Sequence, residues 1–218
     1  MKAAEDVCRH QHSGATVPLP LLAGWHGLFQ TSVPGHIGTQ VVSDTCLGYL
    51  RFTMSSDTPF LESYDCQSTD ELIALEGSFR IDSIVLAFEA ALDGKDELST
   101  AERVILSIEA IEREVNNGGF NQFFVNSSRD FAPYIVESFN LIGCPKTAQL
   151  CQEAIDLLGV KDLFDSDALD AAACDADDDL MERFNALDEV YYAGAEEPIA
   201  IKLFEFIKQN RNEVSLSQ

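Results

Sequence analysis

Carboxylates dominate the reactive side chains of this sequence. Glu109 and Glu112 have the spacing of two carboxylate ligands on one helical face. A carboxylate-bridged di-metal bundle also needs Glu-x-x-His pairs on two helices. Residues 54–218 contain no histidine; His10, His12, His26 and His36 all lie within 1–53. The usual imidazole ligands and the commonest general base are therefore missing together, and a Ser/His/Asp triad with them. Zinc held by cysteine needs clustered thiols, whereas Cys66, Cys144, Cys151 and Cys174 are scattered. Asp175-Ala176-Asp177-Asp178-Asp179 begins like a calcium loop. An EF-hand then needs Gly at its sixth position and Glu at its twelfth, where this chain has Leu180 and Ala186. Gly118-Gly119 is not followed by the Lys-Ser or Lys-Thr of a phosphate loop, and Glu112 and Glu114 would repel phosphate. A carboxylate pair acting on a glycosidic bond stays open, because an acidic chain offers many pairs. The expectation is a chain with no metal, no cofactor and no catalytic site.

What survives is the acid itself. The 218 residues carry 37 acidic and 14 basic side chains, a net charge of −23. Three of each fall in 1–53, so residues 54–218 hold 34 acidic and 11 basic residues and the whole excess. Such a charge costs stability through self-repulsion. It excludes direct nucleic-acid and anionic-membrane partners and favours a basic protein, or cations. From Asp165 to Glu182 no Lys or Arg interrupts Asp165, Asp167, Asp170, Asp175, Asp177, Asp178, Asp179 and Glu182. On a helix, carboxylates at i and i+4 rise by about 6 Å. Phosphates on one DNA strand advance about 3.4 Å along the axis. A rigid acidic helical surface thus approaches the charge density of a duplex. The bland alternative is a solvated loop whose Asp177–Asp179 carboxylates favour a helix N-terminus.

The elements that must position these groups read as helices almost throughout. An apolar share of 46% permits a real core. Ser68-Thr69-Asp70-Glu71 caps a short helix ending at Gly77. Ile81, Ile84, Val85, Phe88 and Leu92 form a face stopped by Gly94. Ser99 and Glu102 have capping-box spacing and open a helix through Val104, Ile105, Ile108, Ile111 and Val115. Phe131, Ile135, Phe139 and Ile142 form the next, stopped by Gly143. Pro145 suits the first turn of a helix stopped by Gly159. Asp178 to Ala193 carries Leu180, Phe184, Leu187 and Tyr191, and Pro198 starts a last helix with Leu203, Phe204 and Ile207. No alternating strand pattern appears after Met54. The fold class is all-α, one domain of seven or eight short helices over 54–218.

Residues 1–53 differ: they are rich in Gly, Pro, Ser, Thr and His, without a sustained period. They read as an irregular extension that is not native, or as a loosely packed arm with a short strand at 37–52. No signal peptide or membrane span is recognised. The six cysteines form no Cys-x-x-Cys pair and read as free thiols of a cytoplasmic protein.

The centre of the pattern is Glu112 to Asn126. A helix runs into Asn116-Asn117-Gly118-Gly119, stops, and restarts with Phe120, Phe123 and Phe124 on one face. Asn116, Asn117, Asn121, Gln122 and Asn126 can satisfy the backbone groups freed at the break. If Gly118 is the left-handed residue, Gly118→Val should cost a few kcal/mol. The spelling Glu-x-x-x-Asn-Asn-Gly-Gly-Phe-Asn-Gln-Phe-Phe-x-Asn resembles the signature of the DUF4375 family of DMP19-like proteins, most strongly over 100–126 and loosely from Met54 to Asn212. The resemblance implies an all-α fold, often a homodimer. In the family's characterised branch it implies a DNA mimic that occupies the DNA-binding face of a transcription factor or nucleoid protein. The expected partner surface is the Asp165–Glu182 run, with Glu109, Glu112 and Glu114 beside the corner as a second patch. Two other readings stay open: an immunity-type binder of a basic protein that does not bind DNA, and a carboxylate-based enzyme.

Overall fold

The structure, a computed structural model, describes residues 58–194 and 197–216. The expectations placed on 1–53 lie outside the described residues. Among the described residues eight α-helices and two short 3-10 turns make up the fold, and no strand occurs. The helices are α1 (Thr69–Ile73), α2 (Ile81–Leu92), α3 (Thr100–Val125), α4 (Ile135–Leu141), α5 (Pro145–Leu158), α6 (Ser166–Cys174), α7 (Asp178–Tyr192) and α8 (Ile199–Gln209).

The starts follow the expected chemistry. Both capping boxes form: Ser68 with Glu71 at α1, and Ser99 with Glu102 at α3. Pro145 occupies the first turn of α5, and Gly159 closes it at φ 69°. Two ends are shorter than the pattern suggests. α1 closes at Ile73 rather than Gly77, and Phe131 lies in a 3-10 turn (Ser127–Phe131) ahead of α4. α6 has no counterpart among the expected helices, because only Leu169 and Ala173 face inward from it. So thin an apolar stripe leaves little periodicity to read.

α3 is the hub. It packs against α2, α4, α6, α7 and α8. Its own Phe120, Phe123 and Phe124, and Phe88, Phe139, Phe184 and Phe204 from other helices, are all fully buried. Each contributes roughly 1.5–3 kcal/mol by leaving water. Phe124 sits 6.1 Å from Phe184 of α7, and Phe120 meets Tyr191 edge-on at 5.7 Å. The chain after α8 is strapped back over the start of α3. Glu102, almost fully buried, accepts from Lys95 at 2.6 Å and from the Ser215 amide at 2.8 Å.

Cys66, Cys144 and Cys151 are free thiols. Cys174 is disulfide-bonded, which corrects the expectation of free thiols at that position. Among the described residues no helix is long and apolar enough to cross a membrane.

Candidate functional site

The corner in α3 is built by two consecutive glycines with different duties. Gly118 has φ −162°, which is extended backbone open to any residue. Gly119 has φ 84° and ψ 178°, a region that is essentially glycine-only. The left-handed residue is therefore Gly119, and the expectation at Gly118 is corrected. A Cβ on Gly119 would fall 2.1 Å from Oδ2 of Asp188. The closeness has a purpose: Asp188, buried on α7, accepts the Phe120 amide at 2.8 Å. One carboxylate thus caps the restarted half of α3. Its signal in the sequence is faint but real, since Asp188 lies between Phe184 and Tyr191 on the inward stripe of α7.

Glu114 organises the other side of the break. It accepts from Gln122 Nε2 at 2.9 Å, Asn126 Nδ2 at 2.7 Å and Ser128 Oγ at 2.7 Å. Arg113 Nε stands 3.5 Å away. Asn116 plays the part expected of it by donating to the Glu112 backbone carbonyl at 2.7 Å, whereas Gln122 and Asn126 serve a side chain, the Glu114 carboxylate, in place of the freed backbone. Asn121 also departs from the expectation, with Oδ1 buried and without a hydrogen-bond partner.

This geometry corrects the second proposed contact patch. Glu109 and Glu114 are buried, 5% and 7% exposed, and cannot present charge to a partner. Glu112 is half-buried and bonded by the Tyr191 hydroxyl. The pattern misled because it treats α3 as a helix with one covered face, whereas helices cover it on several sides.

Glu109 is the odd member. Among the described residues no hydrogen bond or ion pair holds it, and burial, followed by the charges of Glu89 and Glu112, pushes its pKa well up, with Arg113 opposing. A carboxyl whose folded pKa is raised supports stability fully below its unfolded pKa; that support is lost as pH rises through the folded pKa. Glu109→Gln removes the titration. The variant should match the wild type near pH 4 and exceed it by at least about 1 kcal/mol at alkaline pH. Urea unfolding across a pH series reads this, and a constant gap between the two proteins would refute it.

The acidic run behaves otherwise. Asp165, Asp167, Asp175, Asp177, Asp178, Asp179 and Glu182 are exposed, and Asp170 is half-buried. Two of them do local work. Asp165 caps α6 by accepting the Ala168 amide at 3.0 Å, and Asp177 caps α7 by accepting Leu180 at 2.9 Å. The run is therefore two helices and their caps, not a loop. Buried Arg129 fixes the first of them. It donates to Ser166 O and Oγ, both at 3.0 Å, to the Val125 carbonyl at 2.9 Å, and lies 3.4 Å from Asp170. Among the described residues no group of three His, Cys, Asp or Glu side chains is placed to hold a metal ion.

A family profile described as DMP19-like protein matches residues 96–210, more than half of the chain. The chain belongs to the DMP19-like family. The match spans α3 to α8 and so takes in both the Gly119 corner and the acidic run. No curated protein and no solved structure matches the chain. The DMP19-like assignment and the charge are independent observations, one resting on sequence pattern and the other on composition.

Proposed function

We propose that this protein is a DNA mimic: it binds a basic DNA-binding protein, a transcription factor or nucleoid protein, and blocks its DNA-binding face. The observation that carries the reading is the exposed acidic run along α6 and α7, four carboxylates within the helices and three at their caps, held in place by capping bonds and by Arg129, with no basic residue between them. Asp178 and Glu182 stand one helical turn apart, so their backbones rise by about 6 Å, less than two phosphate steps on one strand. Lys and Arg evolved to grip phosphates would meet a comparable field, and charge-assisted pairs would carry the contact. Membership of the DMP19-like family supports this role. The reading extends to a homodimer acting in the cytoplasm.

The test is competition. Labelled duplex is bound to the basic partner, and the unlabelled full-length chain is added over a salt series. The wild type should displace DNA at low salt and lose this ability steeply as salt rises. A variant carrying Asp167→Asn, Asp175→Asn, Asp178→Asn, Asp179→Asn and Glu182→Gln spares both capping carboxylates and Asp170. It should bind at least about tenfold more weakly, with a shallower salt dependence. Its melting temperature should hold or rise as self-repulsion falls. Unchanged affinity in that folded variant would sink the proposal.

A further inference from the structure

Phe164 is 73% exposed, more than any other large apolar side chain among the described residues. It lies between α5 and α6, at the start of the acidic run. Burial does not hold it there, so its position rests on polar contacts. The Phe164 amide donates to Asp162 Oδ1 at 3.0 Å, and the Asp165 amide to the Asp162 carbonyl at 3.2 Å. Asp165 then caps α6, and Ser166 is tied to Arg129 and to Asp130 Oδ1 at 2.7 Å. The ring rests against Tyr134, 5.9 Å between centroids at 81°, an edge contact that leaves aromatic surface in water. Tyr134 already has its cation: the Arg103 guanidinium lies 4.7 Å from its centroid. Among the described residues no cation covers Phe164. Asp162, Asp165 and Asp167, its neighbours along the chain, are exposed.

An aromatic ring unused by the core, with exposed carboxylates two positions before it and one and three after it along the chain, matches one kind of occupant. A guanidinium is weakly hydrated and planar, stacks on aromatic faces and pairs with carboxylates at the same time. A compact ammonium takes the carboxylates but stacks less well. We propose that Phe164 anchors the partner contact by stacking an arginine side chain of the basic protein, whose charge Asp162, Asp165 and Asp167 neutralise. This rests on the acidic-surface reading above and adds to it a contact that DNA phosphates do not make.

The probes are fluorescein-labelled octa-arginine and octa-lysine, titrated against the full-length chain between low and moderate salt. The wild type should prefer octa-arginine. Phe164→Ala and Phe164→Leu should each weaken octa-arginine binding roughly three- to tenfold and change octa-lysine binding less, while Phe164→Trp should bind at least as tightly as the wild type. The salt slope should stay the same in all three, whereas Asp167→Asn should reduce it. Melting curves confirm folding, which an exposed side chain leaves untouched. If Phe164→Leu binds octa-arginine as the wild type does, the contact is apolar and the stacking proposal is wrong. If Phe164→Ala is also unchanged while Asp167→Asn weakens binding, the anchor fails and the acidic reading stands. If the wild type ignores octa-arginine at low salt, both fall together.

Discussion

Gly119→Ala should destabilise this protein by about 3–5 kcal/mol, and Gly118→Ala by no more than about 1.5 kcal/mol. Two costs add at Gly119. Forcing an L-residue to φ 84° and ψ 178° costs about 1–3 kcal/mol. The new Cβ also meets Asp188 Oδ2 at 2.1 Å, and Asp188 is a short side chain already committed to the Phe120 amide. Moving it breaks a buried, charge-assisted hydrogen bond, worth about 1.5–3 kcal/mol. At Gly118 the new Cβ meets Gln122 Oε1 at 2.0 Å, the far end of a long flexible side chain, and no dihedral penalty applies. Gln122 can swing away and give up one bond to Glu114. Guanidinium unfolding of the two variants checks the ranking. Equal losses would show that Asp188 yields as easily as Gln122, and the account of the corner would be wrong.

Glu114→Ala is expected to cost about 2–4 kcal/mol. Truncation strands Gln122, Asn126 and Ser128, each of which loses its carboxylate acceptor in a part-buried setting. Arg113 keeps Glu89 as a partner, which limits the damage on that side. The pH dependence identifies the cause. Burial alone would raise the Glu114 pKa, but the bonds from Gln122, Ser128 and Asn126, with Arg113, outweigh it and hold the carboxyl below its ordinary value. A depressed folded pKa gives stability that is present above the unfolded pKa and is lost as pH falls through the folded one. The gap between wild type and variant should therefore be full at neutral pH and narrow in acid. A gap that persists unchanged to pH 2 would point to lost packing instead.

Much of the helical order was legible because capping residues, prolines and apolar faces act locally. Ser99 with Glu102, Pro145 and Gly159 each do what their position announces. The corner was legible as a break but not in its detail. Which of two adjacent glycines turns left-handed depends on Asp188, which lies 68 residues beyond Phe120 along the chain. The acidic run was visible as composition, and α6 within it was not, since Leu169 and Ala173 make too faint a stripe. Glu109 and Glu114 were misjudged for the opposite reason. A charged residue is ordinarily a surface residue, but a hub helix such as α3 has little surface to offer. Phe164 left no signal at all, because exposure of a single aromatic residue is a tertiary fact.

The bond from Phe120 to Asp188 makes one amide a witness to events elsewhere on α7. Asp188 and the exposed Asp178 stand ten residues apart on the same helix, about 15 Å along its axis. The Phe120 amide is buried, and its acceptor belongs wholly to α7. Deuterium can replace its hydrogen only when α7 lifts from α3 or the restarted turn frays. A partner that clamps the exposed end of α7 will slow that replacement, and one that pries the helix loose will speed it. Hydrogen exchange at this single position thus registers engagement of the acidic face from within the core, without a probe placed in the interface.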